Sequence, residues 1–198
     1  MKLYYSPGAC SLADHIALRE AGLDFERERV DLKTHRTERD RDYREVNPRG
    51  YVPALTLDSG ETLTENIAVP DWIAQQSATL RPKGPLGQSR QLEALAFISS
   101  ELHKSFGPMF KGGSDEEKSK AKQALAKRFG QIADMMEGDH LSGDRPGVAD
   151  FYLFVMLVWA GKQGVDVPER LSALRNRLME RDSVRQAMES EGLLNQSS

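Results

Sequence analysis

The chain opens with MKLYYSPGACSLADHIALREAG, residues 1–22, and this stretch decides the class of fold. Residues 1–5 are compact and apolar, as in a buried strand, and Ser6-Pro7-Gly8 is a turn sequence. From Cys10 to Ala21 apolar side chains recur at intervals of four residues, and Gly22 supplies a C-terminal stop. The sequence therefore predicts a strand, a turn and a helix in direct succession.

The next residues extend this unit. Residues 25–32 predict a second strand at an edge of the sheet, because their apolar positions alternate poorly. Residues 33–45 carry charges of both signs and predict a solvated loop with a short exposed helix. Residues 52–64 predict a hairpin around Asp58-Ser59-Gly60, and Thr64 is the expected N-cap of the following helix. The order β-α-β-α-β-β-α indicates an α/β unit with at least one parallel strand pair.

The second half of the chain predicts helices only. Proline and glycine recur over residues 79–87 and indicate a linker. Ser114 and Glu117 form a capping box, and a helix near residues 148–162 is apolar nearly all round, which predicts the centre of the helical domain. We therefore expect an α/β domain over residues 1–78 and an all-helical domain over residues 88–198.

Composition excludes several classes of function. Lys and Arg number 27 against 30 Asp and Glu, a net charge of −3, whereas nucleic-acid-binding domains carry clustered basic residues. The longest apolar run, residues 151–160, is shorter than the ~20 residues that a membrane span needs, and the N-terminus has no signal-peptide pattern. Cys10 is the single cysteine, so no internal disulfide or multi-cysteine zinc site can form. We expect a cytoplasmic protein without nucleic-acid, membrane or metal partners.

Cys10 is the first candidate for chemistry. It stands at the start of the first predicted helix, where unpaired N–H groups and the helix dipole can lower the thiol pKa from its usual ~8.5. The alternative is an inert buried cysteine, because free cysteines are among the most buried residues.

Two further segments have features of a peptide-binding site. A cis Val52-Pro53 bond leaves the preceding backbone groups facing outward, where they can pair with an extended peptide, although a trans bond is equally compatible with the local sequence. Glu65-Asn66 begins a predicted helix, whose N–H groups can receive a carboxylate while Glu65 holds an ammonium group. Alternatively, Glu65 only complements the helix dipole.

Taken together, five segments resemble the bacterial beta-class glutathione S-transferases, and the resemblance covers nearly the whole chain. These segments are Ser6–Leu12, Asn47–Leu55, Leu63–Asn66, Ser99–Phe106 and Gly143–Asp150. The resemblance implies an α/β N-terminal thioredoxin-like domain that binds glutathione, followed by an all-α C-terminal helical domain that covers the second substrate.

The resemblance also implies roles for individual residues. Val52, before cis-Pro53, would pair with the cysteinyl part of glutathione, and Glu65 with Asn66 would hold the γ-glutamyl end. Cys10 would lie beside the sulfur. Family members are homodimers, in which His103 and Lys104 would reach the cysteine region or a neighbouring glutathione. The other residues expected at the glutathione site are Tyr5, Ala9, His35 and Tyr51, and the aromatic residues expected to line an electrophile pocket between the domains are Tyr5, Phe106, Phe110 and Trp159.

The sequence departs from the class at several of these positions. Tyr51 stands where the class usually has Gln, Asn66 where it has Ser or another small residue, and His35 where a Lys commonly approaches the glycyl carboxylate. Pro70 is expected in the second turn of its helix, where it costs ~3 kcal/mol unless the helix kinks or starts late. Gly147 replaces the usual Ser or Thr cap of the helix that forms the centre of the second domain. Asp150, three residues later, is expected to have a structural role at the start of that helix.

The expected activity is glutathione S-transferase chemistry, with glutathione as co-substrate, a small apolar electrophile as second substrate and no metal. The glutathione thiolate, stabilised at the first helix near Cys10, would attack an electrophilic carbon. One alternative is a glutathione-dependent thiol-disulfide reductase, in which Cys10 forms a mixed disulfide. The other is a non-catalytic binding module with the same fold, suggested by the departures at Tyr51, Asn66 and Pro70.

Overall fold

The computed structural model describes residues 1–194, which form two compact units. The first unit comprises residues 1–81 and 181–194, and the second comprises Pro82–Glu180. The sequence assigned residues 88–198 to the helical domain, and the structure differs over residues 181–194 because the helix in that range packs in the first unit. The linker and the two domain boundaries stay predictions.

The first unit is a mixed sheet with helices, which confirms the predicted α/β class. Strand β1 lies parallel to β2 and antiparallel to β4, so that Leu3 stands opposite Arg27 and Leu55. The strand order is β3-β2-β1-β4-β5. The elements are β1 (Lys2–Tyr5), α1 (Leu12–Glu20), β2 (Glu26–Asp31), β3 (Arg36–Thr37), β4 (Ala54–Thr56), β5 (Thr62–Thr64), α2 (Ala68–Gln76) and α8 (Asp182–Ser190).

Strand β2 explains the poor alternation of its sequence. Its buried face holds Glu28 as well as Val30, so that a carboxylate occupies a position where the pattern expects an apolar side chain. The prediction that this strand is an edge was wrong, because two-residue β3 pairs with it through Val30 and Thr37. The short helix expected nearby is a single 3-10 turn, Tyr43–Glu45.

Helix α8 is tied to α1 by buried and half-buried polar contacts. Arg181 Nε donates to Glu20 Oε2 at 3.2 Å, and Ser183 Oγ donates to the same oxygen at 2.5 Å. Beyond α8, Glu191 is 7% exposed and contacts His15. These contacts place α8 and Glu191 against the helix that follows Cys10.

The second unit is all helical, as predicted. Helix α6 is buried on nearly every side and forms its centre. The predicted capping box of Ser114 and Glu117 is confirmed at α5. Gly147 is the N-cap of α6, as expected, and Asp150 accepts its backbone N–H at 2.8 Å. The elements are α3 (Gly87–Phe97), a π-helical turn (Ile98–Leu102), a 3-10 turn (His103–Phe106), α4 (Gly107–Phe110), α5 (Asp115–Asp134), α6 (Val148–Gln163) and α7 (Glu169–Met179).

Among residues 1–194, no helix combines the length and the apolar character that a membrane crossing requires.

Candidate functional site

Cys10 lies in the tight turn between β1 and α1. The helix begins at Leu12 with Ser11 as its N-cap, and the Cys10 carbonyl accepts the backbone N–H of Ala13 at 3.0 Å. The Cys10 side chain is 9% exposed, and its Sγ donates to the carbonyl oxygen of Val52 at 3.3 Å. The resting sulfur is therefore a hydrogen-bond donor.

Of the two alternatives for Cys10, the structure favours the buried thiol over the helix-activated thiolate. Burial and, to a smaller extent, the nearby Asp14 carboxyl raise the pKa of the Cys10 thiol to about 12. The backbone N–H of Ser11 and the Asn66 side chain lower this pKa, but by less. Desolvation penalises the charged form more strongly than the helix terminus favours it. Cys10 is a neutral thiol at physiological pH.

The peptide bond between Val52 and Pro53 is cis, as the resemblance implied. The backbone just before it is held by two donors: Tyr43 Oη reaches the Tyr51 carbonyl at 2.8 Å, and Asn47 Nδ2 reaches the same oxygen at 2.7 Å. This arrangement fixes the segment that enters β4 beside the Cys10 sulfur.

A glycine lets this loop approach its neighbour. Gly50 has a φ of +71°, and a Cβ atom there would lie 2.7 Å from the His35 ring. The ring is therefore packed against the Gly50 backbone. His35 thus lies beside the loop that carries Tyr51, whose own side chain is 70% exposed.

Asn66 is a buried amide between β5 and α2. It is 6% exposed, and neither its oxygen nor its nitrogen has a hydrogen-bond partner among residues 1–194. Such groups are rare in proteins, because an unpaired buried amide is costly. Its neighbour Glu65 has a left-handed φ of +77° and an exposed carboxylate that pairs with Arg49 at 3.1 Å. Strained non-glycine residues of this kind cluster at ligand sites.

The start of α2 differs from the sequence prediction. The prediction that Thr64 is the N-cap was wrong. Thr64 belongs to β5 and pairs with Ala54 of β4, and Ile67 is the N-cap. Because the helix starts late, Pro70 is its third residue, where the missing N–H has no helical acceptor to lose. The expected local cost of Pro70 is therefore avoided.

The tyrosines of β1 point to opposite faces of the sheet. Tyr4 packs on Tyr43 with ring centroids 5.5 Å apart, in a cluster that includes Val52 and Ala9. Tyr5 instead packs against His15, at 6.1 Å between ring centroids. Tyr4 therefore shares a cluster with Val52, whereas Tyr5, the residue that the sequence predicted for the glutathione site, lies on the other face of the sheet.

The second unit holds its own group of candidates. His103 Nδ1 lies 2.7 Å from Tyr152 Oη, and its ring stands edge-on to Trp159 at 5.1 Å. Burial lowers the pKa of His103 to about 4, so the imidazole is neutral at physiological pH. Lys104, the next residue, is exposed. The π-helical turn just before His103 is a feature often found at functional sites.

Three aromatic rings form a cluster in this unit. Phe110 lies 4.8 Å from Trp159 and 5.9 Å from Phe106, measured between centroids. Phe110 is 52% exposed, Trp159 is 8% exposed, and Phe106 is fully buried. Phe106 therefore supports the other two rings from below and presents no surface to a ligand, which corrects its expected role as a lining residue.

Sequence reasoning assigned no role to three residues near Cys10. Tyr43 and Asn47 hold the Tyr51 carbonyl, but Tyr43 comes from a stretch whose charges predict only a solvated loop, and Asn47 was noted only as part of the segment Asn47–Leu55. Asp14 is fully buried although it is an acid in an amphipathic pattern. The spacing of four residues between Cys10 and Asp14 was the only feature of the sequence that indicated their proximity. Within residues 1–194, no cluster of His, Cys, Asp and Glu is arranged to hold a metal ion.

The chain matches known proteins over nearly its whole length. Family models for the N-terminal and C-terminal domains of glutathione S-transferase match residues 9–76 and 96–182. Glutathione S-transferase GstA of Escherichia coli O157:H7 is 40% identical, with 98% of this chain and 100% of the relative covered. A beta-class glutathione S-transferase of Sphingomonas chungbukensis is 46% identical with a TM-score of 0.91, covering 98% of this chain and 100% of that one. A sphingomonad glutathione S-transferase complexed with glutathione has the same identity, TM-score and coverage.

Proposed function

The chain belongs to the glutathione S-transferase family and is a glutathione transferase, and from that premise we propose how its own residues bind and activate glutathione. The observation that carries the proposal is the buried, unpartnered amide of Asn66 beside the Cys10 thiol and the cis Val52-Pro53 bond. An amide with free donor and acceptor capacity is suited to a polar ligand.

The γ-glutamyl end of glutathione is zwitterionic and matches the start of α2. The Asn66 amide and the first N–H groups of the helix take the α-carboxylate, because a helix N-terminus offers unpaired donors. The Glu65 carboxylate, exposed and turned by its left-handed backbone, takes the ammonium group. The Val52 backbone pairs with the cysteinyl residue, which brings the glutathione sulfur toward Cys10.

The other end of the peptide reaches the loop before Pro53. The glycyl carboxylate approaches His35 and the exposed side chain of Tyr51, which replace the residues that the class usually carries there. Ala9, which packs in the cluster with Tyr4 and Val52, lines the turn beneath the sulfur.

Cys10 activates glutathione as a hydrogen-bond donor. When Val52 pairs with the bound peptide, the Cys10 S–H turns from the Val52 carbonyl to the glutathione sulfur and stabilises its thiolate. A decrease of one unit in the glutathione pKa requires about 1.4 kcal/mol, which one hydrogen bond and the start of α1 can supply. The proton of the glutathione thiol leaves to solvent, and Cys10 keeps its own proton. The thiolate then forms an S–C bond with the electrophile, and the leaving group departs with its electron pair.

Calorimetric titration with reduced glutathione tests the binding site. Asn66→Ala should weaken binding at least tenfold, since it removes both amide contacts, and it should not destabilise the fold because that amide has no hydrogen-bond partner among the residues that the structure describes. Asn176→Ala is the matched control, since Asn176 is exposed on α7. Equal affinity of Asn66→Ala and the wild type would overturn this assignment, and failure of the wild type to bind would revive the binding-module alternative.

The second substrate is a small apolar electrophile. Phe110 and Trp159 supply the aromatic surface for it, because Phe110 is half exposed and packs edge-on against the indole. Homodimerisation and a cytoplasmic location also belong to this proposal, and a monomeric mass in sedimentation would contradict the dimer. The roles of His103 and Lys104 near the cysteine region stay predictions.

The reductase alternative makes a different demand on Cys10. Thiol-disulfide exchange begins with attack by a thiolate, whereas the resting Cys10 is a protonated donor. Mass spectrometry after incubation with oxidised glutathione separates the two chemistries. A transferase of the kind proposed forms the Cys10 adduct slowly and turns over electrophiles after Cys10→Ala at a reduced rate, whereas a reductase loses all turnover.

A further inference from the structure

Arg49 is a surface cation to which the proposed function assigns no role. Its Nη1 donates to Glu65 Oε1 at 3.1 Å, and the two side chains are 63% and 64% exposed. Glu65 is the carboxylate that the proposed function pairs with the ammonium group of the γ-glutamyl end. A cation of the protein therefore already contacts the group that binds the cation of the ligand.

The backbone that carries Arg49 is fixed by a buried amide. The Arg49 N–H donates to Asn47 Oδ1 at 3.2 Å, and the Gly50 N–H donates to the Asn47 carbonyl at 2.8 Å. Asn47 is 4% exposed and also holds the Tyr51 carbonyl through its Nδ2 at 2.7 Å. The guanidinium of Arg49 therefore extends from a loop that is anchored next to the cis Val52-Pro53 bond.

The backbone of Glu65 is fixed as well, whereas its side chain is not. Its carbonyl accepts the backbone N–H of Val69 at 3.0 Å, and its φ of +77° is uncommon for a residue with a side chain. The exposed side chain has several rotatable bonds, whose freedom is lost when a ligand is bound. The contact with Arg49 restricts that freedom before the ligand arrives.

The form of the contact leaves room for a second cation. Arg49 reaches Glu65 through Nη1 and Oε1 alone, and not through the two parallel hydrogen bonds with which an arginine occupies both carboxylate oxygens. Within residues 1–194, Glu65 Oε2 makes no hydrogen bond. A carboxylate accepts hydrogen bonds at both oxygens, so a second donor can bind while Arg49 stays in place.

We propose that Arg49 is a positioning residue for glutathione, which orients the Glu65 carboxylate so that Oε2 receives the α-ammonium group of the γ-glutamyl end. The inference rests on the proposed function, which assigns that ammonium group to Glu65. Because the γ-glutamyl end is a zwitterion, its own carboxylate offsets the repulsion between its ammonium group and the guanidinium. Arg49 therefore contributes to the affinity for a peptide with a free α-amino group, and not to the reaction of the bound complex.

Calorimetry and steady-state kinetics with glutathione test this role. Arg49→Met keeps much of the side-chain length without the charge. It should raise the Kd and the KM for glutathione about threefold to fivefold, a small effect because the ion pair is exposed, and leave kcat at saturating glutathione unchanged. Arg49→Lys should recover part of the affinity. Arg44→Met is the matched control and should bind like the wild type, since Arg44 is 58% exposed and pairs with Asp42 instead.

A ligand analogue and a double variant assign the effect to the ammonium contact. Glutathione with a glutaryl group in place of the γ-glutamyl group keeps the carboxylate and lacks the ammonium group. This analogue should bind equally to the wild type and to Arg49→Met. In a chain that already carries Glu65→Gln, Arg49→Met should cause no further loss of glutathione affinity, because the two residues act through one contact.

Three outcomes would overturn the proposal. One is unchanged glutathione affinity in Arg49→Met, and another is tighter binding, which would mean that Arg49 competes with the ligand for Glu65. The third is an equal loss of affinity for glutathione and for the glutaryl analogue, since that result assigns the effect to the loop and not to the ammonium group. Failure of the proposed function appears separately, as loss of glutathione binding by the wild type.

Discussion

His15 Nδ1 lies 2.8 Å from Glu191 Oε1, and both side chains are fully enclosed. Arg19 Nε donates to His15 Nε2 at 3.0 Å, so the imidazole proton is on Nδ1 and points to the carboxylate. The other oxygen of Glu191 accepts the backbone N–H of Gly8 at 2.9 Å. Glu191 therefore holds the turn that leads to Cys10.

Loss of Glu191 should destabilise the first unit. Glu191→Ala removes the acceptor of the buried His15 N–H and of the half-buried Gly8 N–H, at an expected cost of about 2–4 kcal/mol in the free energy of unfolding. Glu189→Ala, an exposed acid on the neighbouring turn, should cost less than about 0.5 kcal/mol. Urea denaturation measures both. Equal stabilities of the two variants would contradict the structural role of this contact.

His15 should make the fold sensitive to acid. Burial lowers its pKa, against the opposing effect of Glu191. The folded pKa is then below the unfolded value of ~6.5, so the stability from neutral His15 is present above that pH and lost as the pH falls below it. Unfolding of the wild type and His15→Gln between about pH 8 and pH 5 measures this effect. The stability difference between them should shrink toward acid pH, and a constant difference would refute the assignment.

Glu28 is a buried carboxylate whose contribution should disappear only in strong acid. Burial raises its pKa, but hydrogen bonds from Arg41 and Lys2 outweigh this and bring it to about 2. Its stabilisation is therefore present above about pH 4.5 and lost as the pH falls toward 2. Glu28→Gln should cost about 2 kcal/mol near pH 7, allowing for the half-exposed Arg41.

The penalty for Glu28→Gln should be clearly smaller near pH 3 than near pH 7. Glu26→Gln provides the control on the same strand, since the Glu26 side chain is 68% exposed. Chemical denaturation at the two pH values compares them. A penalty that does not change with pH would mean that Glu28 acts through shape and not through charge.

Asp150 should show the opposite dependence on pH. Burial raises its pKa to about 6, even though its carboxylate accepts the N–H groups of Gly147 and Leu141. The folded pKa exceeds the unfolded value of ~3.9. The stabilisation that protonated Asp150 contributes is therefore complete below about pH 3.9 and is lost as the pH rises through about 6. The stability of the wild type relative to Asp150→Asn should fall by about 2–3 kcal/mol between pH 4 and pH 7. Asp144→Asn, an exposed site, should show no such trend.

Phe110 and Phe106 should respond differently to truncation. Phe110→Ala should raise the KM for an apolar electrophile several-fold and leave the KM for glutathione unchanged, because its ring is half exposed. Phe106→Ala should instead lower the free energy of unfolding by about 3–5 kcal/mol, since the ring is fully buried. Leu86→Ala, an exposed apolar residue of the same unit, should do neither. Steady-state kinetics and denaturation give both measurements, and an unchanged KM in Phe110→Ala would remove it from the site.

Several elements followed directly from local sequence. The strand, turn and helix of residues 1–22, the capping box at Ser114, and the apolar helix around residues 148–162 are all present. Each of these elements depends on residues that are close to each other in the sequence, so the pattern of residues along the chain is enough to predict it. The α2 N-terminus was misplaced because Thr64 has a stronger capping propensity than Ile67, and strand pairing with Ala54 overrides that propensity.

By itself, the sequence determined the class of fold and the order of its elements, and through its resemblance to the beta-class transferases it indicated the segments that we propose for the glutathione site. Only the tertiary structure decided the ionisation of these groups. Local sequence places Cys10 at a helix start, where a thiolate is favoured, whereas burial and Asp14 keep it a thiol. Likewise, Asn66 and Phe106 are ordinary residues in the sequence, and enclosure makes one an unpartnered amide and the other a buried support. Solvation depends on every atom packed around a group, and most of those atoms come from distant parts of the chain.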